Sequence, residues 1–217
     1  MQGDLSQKER QRLETMMLWE AKAKMRGFKR IAGVDEAGRG PLAGPVVAAA
    51  CVLPEGALIE GVDDSKKLLP SERFKIFQQI LALSEVDYGI GVIDALIIDQ
   101  VNILQATFQA MIAAISRLSQ KPDFILVDGN KMPTTHIPGE AIIKGDSLSQ
   151  SIAAASIIAK ETRDQLMNVY HEEWPQYDFK AHKGYATQKH LAAIQKHGPC
   201  AIHRMSFEPL KSMRDCQ

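Results

Sequence analysis

Asp35-Glu36-Ala37-Gly38-Arg39-Gly40-Pro41-Leu42-Ala43-Gly44-Pro45 is flanked by two apolar runs, Arg30-Ile31-Ala32-Gly33-Val34 before it and residues 46–53 after it. Both runs read as buried strands, joined by a turn rich in glycine and proline. Two adjacent carboxylates therefore stand at a strand end, where burial is costly unless a cation or a donor compensates them. A divalent metal is the natural partner for such acids, and a glycine-rich turn beside it suits a phosphate or sugar backbone. Neighbouring strand residues point to opposite faces. For Asp35 and Glu36 to serve one site the strand must already be breaking at Glu36, which Gly38 permits.

Outward from this segment, residues 6–25 read as one helix around Leu13, Met16, Met17 and Trp19. Downstream, Asp63-Asp64-Ser65-Lys66-Lys67 is a polar loop, and Pro70-Ser71-Glu72 opens a helix with Phe74, Phe77, Ile80 and Leu81 on one side. Residues 88–93 are a third strand, and 94–118 are helical with an apolar stripe of Ile103, Phe108, Met111, Ile115 and Leu118. Phe124-Ile125-Leu126-Val127 is a short strand apolar throughout, as when both faces are covered, and it ends at Asp128-Gly129. Ala141-Ile142-Ile143-Lys144 is a fifth, ending at Gly145-Asp146. A long helix is expected over 147–174, stopped by Pro175, and Thr187 caps a last helix ending at His197-Gly198-Pro199.

Strands first, then strands alternating with helices, predict a mixed five-stranded α/β sheet with helices on both faces. The expectation is one domain over 1–217, with a short N-terminal helix and a basic helical C-terminal segment, 175–217. Asp35, Asp128 and Asp146 each fall at the C-terminal end of a strand, where residues distant in sequence converge. Such a cluster stays ionised only if cations neutralise it. Two Mg²⁺ or Mn²⁺ ions about 4 Å apart would do so, one activating water and the other stabilising the leaving oxygen. Plainer readings stand beside this one: Asp128-Gly129 as a turn former, and Asp146 as the cap of the long helix.

Composition narrows the class. The 217 residues are 45% hydrophobic and 24% charged, the proportions of an ordinary globular protein. Lys+Arg 26 balances Asp+Glu 26, so no whole-molecule field draws the chain to nucleic acid. The tail is different: Lys180, Lys183, Lys189, Lys196, Arg204, Lys211 and Arg214 face only Glu208 and Asp215, a candidate polyanion-binding flank. The histidines have no metal-ligand spacing and read as surface residues. Cys51, Cys200 and Cys216 form no C-x-x-C pair, which excludes a disulfide framework or zinc site and favours a reducing compartment. No apolar run reaches the ~18–20 residues of a membrane span, and no signal peptide is visible. A cytoplasmic location is expected, with no membrane partner.

Ordered blocks along the chain resemble bacterial ribonuclease HII, a type 2 RNase H family. They are Gly33 to Pro45, Asp64-Ser65-Lys66-Lys67-Leu68, Asn102-Ile103-Leu104-Gln105-Ala106-Thr107, Val127-Asp128-Gly129 and Gly145-Asp146, followed by Ser151 to Lys160 with Arg163-Asp164, Lys183-Gly184-Tyr185 with Thr187, and His203-Arg204. The resemblance implies an RNase H-like sheet on which Asp35, Glu36, Asp128 and Asp146 hold two divalent cations, Mg²⁺ or Mn²⁺. It implies that Gly38-Arg39-Gly40 reads the ribose 2′-hydroxyl, which separates RNA from DNA. Tyr185 would pack on the sugar after the ribonucleotide, and Lys66, Lys160 and Arg163 would contact phosphates. The implied enzyme is a monomer. It would cleave the RNA strand of RNA–DNA hybrids, and duplex DNA on the 5′ side of embedded ribonucleotides, leaving 3′-hydroxyl and 5′-phosphate ends. Three rivals remain: a broad hybrid nuclease like ribonuclease HIII, a non-catalytic nucleic-acid-binding module, and a phosphate-loop protein. The last lacks the lysine of G-x-x-x-x-G-K-[ST].

Overall fold

The computed structural model describes residues 5–215, with Met1–Asp4, Cys216 and Gln217 outside it. In chain order the helices α1 (Gln7–Met16) and α2 (Leu18–Met25) precede strands β1 (Ile31–Ala37) and β2 (Val46–Val52). Next come α3 (Pro70–Leu81), β3 (Asp87–Ile93), α4 (Ala95–Val101), α5 (Ile103–Ser116), β4 (Phe124–Asp128) and β5 (Gly139–Ile142). The 24-residue α6 (Gln150–Glu173) leads to α7 (Phe179–His182), α8 (Gln188–His197) and α9 (Leu210–Asp215).

The mixed five-stranded sheet has the order β3-β2-β1-β4-β5. β1, β2 and β3 are antiparallel, whereas β4 and β5 run parallel to β1. α5 packs on β2 and β3 over one face, and α6 on β1 and β2 over the other. Every residue of β2 is consequently buried, which is why its sequence is apolar without alternation. Close approach on the α6 face depends on small residues. Ala153, Ala154 and Ala155 are fully buried, and a Cβ on Gly33 would lie 2.1 Å from the Ser151 carbonyl carbon. A further core of Leu42, Ala43, Met167, Tyr177, Phe179, Ile194 and Leu210 binds the C-terminal helices to the segment after β1.

Several boundaries differ from the sequence expectation. The helix over 6–25 is interrupted at Met17, and the one over 94–118 breaks at Asn102, whose φ is 73°. The Asn102 carboxamide oxygen accepts from the N–H groups of Leu104 and Gln105, so it starts α5 as a cap. The inward face of α3 is Arg73, Ile76 and Ile80, while Phe74 and Leu81 are exposed. α6 begins at Gln150 because Ser149 caps it by accepting from the Ile152 N–H. The helix capped by Thr187 is α8, and α9 follows it. No helix among the described residues is long and apolar enough to cross a membrane.

Buried Glu20 ties α2 to the start of α6. Its Oε1 accepts from Ser149 Oγ at 2.6 Å, Ser151 Oγ at 2.6 Å and Ser151 N at 3.0 Å. A carboxylate at a helix N-terminus also faces the positive end of the helix dipole. Glu20→Ala should therefore destabilise the protein by about 2–3 kcal/mol, because it removes the shared acceptor of two buried hydroxyls and an N–H, and the two hydroxyls can satisfy only one of their own donors by pairing. A urea denaturation midpoint equal to the parent's would refute this role.

Candidate active site

The parallel pairing of β1 with β4 ends at Val34 and Val127, so the next residues, Asp35 and Asp128, stand where the two strands part. The pairing of β4 with β5 ends at Asp128 and Ile142. Beyond it Lys144 takes a left-handed φ of 58°, and residues Gly145–Ser147 form a 3₁₀ turn. Asp128 Oδ1 accepts from Gly145 N at 2.7 Å and Asp146 N at 3.4 Å, which folds that turn onto β4. One carboxylate oxygen from each of Asp35, Asp128 and Asp146 then lies within 4.8 Å of the others.

Electrostatically the trio is under-compensated. Burial drives the Asp35 carboxyl well above its ordinary range, and the charges of Glu36 and Asp128 add to this. Asp146 is pushed up to about 6 by burial, then by Asp128 and Asp64. Asp35 Oδ1 accepts the Glu36 N–H at 2.7 Å, while its buried Oδ2 has no hydrogen-bond partner among the described residues. Three converging carboxylates, with Asp35 almost wholly buried, fit a divalent cation. Lys66 supplies positive charge to these acids: burial alone would lower its pKa, but Asp35, Asp64, Asp146 and Asp128 outweigh it and raise it.

Glu36 stands differently from the expectation. β1 does not break there; pairing continues through Glu36↔Ala48 and Ala37↔Val47. The Glu36 carboxyl is not among the three that converge; it lies 3.3 Å from Arg39 Nη1 and lines the same cavity as Asp128, and burial raises its pKa. Glu36, Asp128, Arg39, Asn130 and Lys131 help to line a shallow cavity of about 230 Å³. A larger cavity of about 640 Å³ opens near Glu20, Arg30 and Asp87, away from the trio. We place the site at the acids because their geometry supplies chemistry and the larger volume does not. The capping alternative for Asp146 is set aside, since Ser149 caps α6.

The adjoining loop is held from below. Gly38 has φ +95°, and a Cβ there would lie 2.1 Å from Arg163 Nε. Arg163 is 1% exposed and donates to Pro45 O and Ala43 O. Its expected phosphate contact is therefore corrected: the guanidinium faces main-chain carbonyls, not solvent. Arg204, also buried, donates to Gly44 O, Arg39 O and Gly38 O. Lys160 is half-buried and bonded to Asp164 Oδ1 at 2.6 Å. The Tyr185 ring is 48% exposed and comes within 3.7 Å of where a Gly40 Cβ would stand. In the basic tail Lys180, Lys189, Lys196 and Lys211 are exposed, whereas Lys183 is bonded to Asn168.

The histidines correct a second expectation. His190 and His203 are buried and in mutual contact, not on the surface. Sequence reasoning also assigned no role to Ser65 and Ser156, whose hydroxyls pair at 2.9 Å between the polar loop and α6. The available signal was a serine within the alanine-rich run 153–159.

The sequence profile of the ribonuclease HII family matches residues 32–210. The chain belongs to the ribonuclease HII family. Ribonuclease HII of Chlamydia trachomatis serovar A is 54% identical over 198 residues, 91% of each chain. The ribonuclease H2 of Pyrococcus horikoshii OT3 superposes with TM-score 0.71 at 28% identity, covering 87% of this chain and 98% of that one. A Bst-RNase HIII in complex with Mn²⁺ shares the fold at TM-score 0.63 and 19% identity, covering 86% of this chain and 70% of its own. As a ribonuclease HII family member the protein is a ribonuclease H, an endonuclease acting on RNA–DNA hybrids, and its family works with divalent metal ions. The non-catalytic rival is thereby excluded.

Proposed function

We propose that this enzyme hydrolyses the RNA strand of RNA–DNA hybrids and also cuts duplex DNA on the 5′ side of embedded ribonucleotides, leaving 3′-hydroxyl and 5′-phosphate ends. The observation that carries the reading is the convergence of Asp35, Asp128 and Asp146 within 4.8 Å, beside an exposed glycine loop and an exposed tyrosine. Two divalent cations, Mg²⁺ or Mn²⁺, held by these acids with Glu36, would supply the charge that activates water and stabilises the leaving oxygen.

The remaining roles belong to the chain itself. Arg204 engages the carbonyls of Gly38 and Arg39, while the N–H groups of Arg39 and Gly40 bond to nothing among the described residues. The loop therefore offers main-chain donors, and a ribose 2′-hydroxyl would accept from them. With no Cβ at Gly40, the Tyr185 ring and the loop together make a surface on which a following sugar can lie. Lys66 is placed to offset the acids and meet a phosphate entering among them.

The test compares a DNA duplex bearing one ribonucleotide with a continuous RNA/DNA hybrid, with product ends mapped. Tyr185→Ala should cost ~1–3 kcal/mol in kcat/KM, as aromatic contacts to nucleic acid do. That loss should fall more heavily on the single ribonucleotide, because a continuous hybrid offers other registers. Tyr185→Phe should be mild. Equal losses on the two substrates would remove the sugar-stacking role, and cleavage of the hybrid alone would favour the broad specificity of a ribonuclease HIII.

A further inference from the structure

Two of the tail histidines form a buried chain of hydrogen bonds that the reaction chemistry does not use. His190 Nδ1 lies 2.9 Å from the Tyr185 carbonyl oxygen, and His190 Nε2 lies 3.1 Å from His203 Nε2. The Cys200 N–H points at His203 Nδ1 at 2.9 Å. A carbonyl can only accept, so His190 donates from Nδ1, and its bare Nε2 must accept from His203. Neutral His203 is then bare at Nδ1, where it accepts the Cys200 N–H. Each donor meets an acceptor, and the chain has one direction. Burial lowers both imidazoles, His203 to about 4, which keeps the pair neutral at working pH. The groups packed around it are the His182 ring, stacked at 4.4 Å on His190, with Phe179, the edge of Tyr177 and the Cys200 thiol.

The residue after His203 is Arg204, whose guanidinium grips the carbonyls of Gly38, Arg39 and Gly44. The main chain is laced at the same place. Leu42 N donates to Gly184 O, Arg204 N to Leu42 O, and Ala43 bridges His203. One dipeptide therefore holds the glycine loop with one side chain and, through His190, the Tyr185 main chain with the other. We propose that His203-Arg204 is a strut that fixes the separation between the Gly38–Gly40 main chain and the Tyr185 ring, which makes His190 and His203 positioning residues for recognition of an embedded ribonucleotide. This inference rests on the Tyr185 reading given under Proposed function.

Both rings are cut off from water, so a broken link cannot be mended by solvent and the tyrosine should drift relative to the loop. The test is a double-mutant cycle between His203→Asn and Tyr185→Ala, read as kcat/KM on a DNA duplex with one ribonucleotide, with melting temperatures alongside. Asparagine retains an acceptor for the Cys200 N–H but is too short to reach His190. In the parent background His203→Asn should lower kcat/KM on the order of tenfold, the scale of a small misplacement. In the Tyr185→Ala background it should cost nothing further, because the group being positioned is gone. Equal losses in both backgrounds would overturn the strut and leave His203 a core residue only. If His203→Asn does not fold, His190→Gln replaces it in the cycle: it can still accept from His203 but has no donor where Nδ1 stood. A Tyr185→Ala enzyme as active as its parent would remove the Tyr185 role itself, and the strut's purpose with it. The single variant alone shows that result.

Discussion

Asp35→Asn should lose cleavage by on the order of 10³-fold or more while gaining stability in the absence of divalent ions. The shape at the end of β1 is kept, but the buried acceptor Oδ2 gives way to an amide and the trio loses one negative charge. The stability gain has a definite pH dependence. The folded-state pKa values of Asp35 and Asp146 lie above their ordinary values, so the folded protein binds protons more tightly than the unfolded chain. Their contribution to stability is complete below the ordinary carboxyl range and is lost as pH rises; for Asp146 the loss runs from about 3.8 through about 6. The melting temperature of Asp35→Asn should therefore exceed the parent's most at pH 7–8, and the difference should shrink on acidification. Added Mg²⁺ should raise the parent's melting temperature at pH 7–8 and the variant's much less. Normal cleavage by Asp35→Asn would end the acidic-cluster reading. A melting difference that grows towards low pH would show that the trio is not strained by its own charge.

Gly33→Ala should be among the most damaging single-methyl changes in the sheet. The new Cβ would lie 2.1 Å from Ser151 C, 2.3 Å from Ile152 N and 2.4 Å from Ser151 O. All three atoms are main chain in the first turn of α6, so no side-chain rotation relieves the clash and the helix itself must lift from β1. The cost should exceed the ~1–3 kcal/mol usual for overpacking. It should also reach the chemistry, because Asp35 lies two residues along the same strand and Asp146 shortly before the displaced helix. Soluble yield, urea midpoint and hybrid cleavage measure the two consequences. An alanine variant matching the parent in midpoint and rate would show that α6 can move away from β1 at no cost.

What the sequence made legible was local. β2 and residues 124–127 of β4 are apolar throughout because helices cover both faces of the sheet, and that pattern can be read without knowing which helices they are. Asp128 ends β4, Asp146 follows β5 and Asp35 stands where β1 parts from β4, so their convergence follows from the strand pattern together with the rule that neighbouring strand ends meet. The breaks at Met17 and Asn102 escaped because the apolar stripe continues across each of them. At Asn102 one residue with positive φ redirects the chain without changing the residue types on either side.

Tertiary structure alone decided the fate of the polar residues. Arg163, Arg204, His190 and His203 look like solvated members of a basic tail and a long helix, yet all four are buried. The partners that make this tolerable are carbonyl oxygens far along the chain, such as Pro45 for Arg163 and Gly38 for Arg204. Every residue carries a carbonyl, so a main-chain acceptor leaves no mark on residue type, and only the assembled fold shows which carbonyls lack other partners and face a guanidinium or an imidazole. The sequence by itself determined the sheet and the acids towards the C-terminal ends of its strands, because burial of apolar strands and like-charge convergence follow from residue types in order. Which cations serve substrate and which hold the loop was set by the third dimension, because desolvation is a property of the packed neighbourhood and not of the residue.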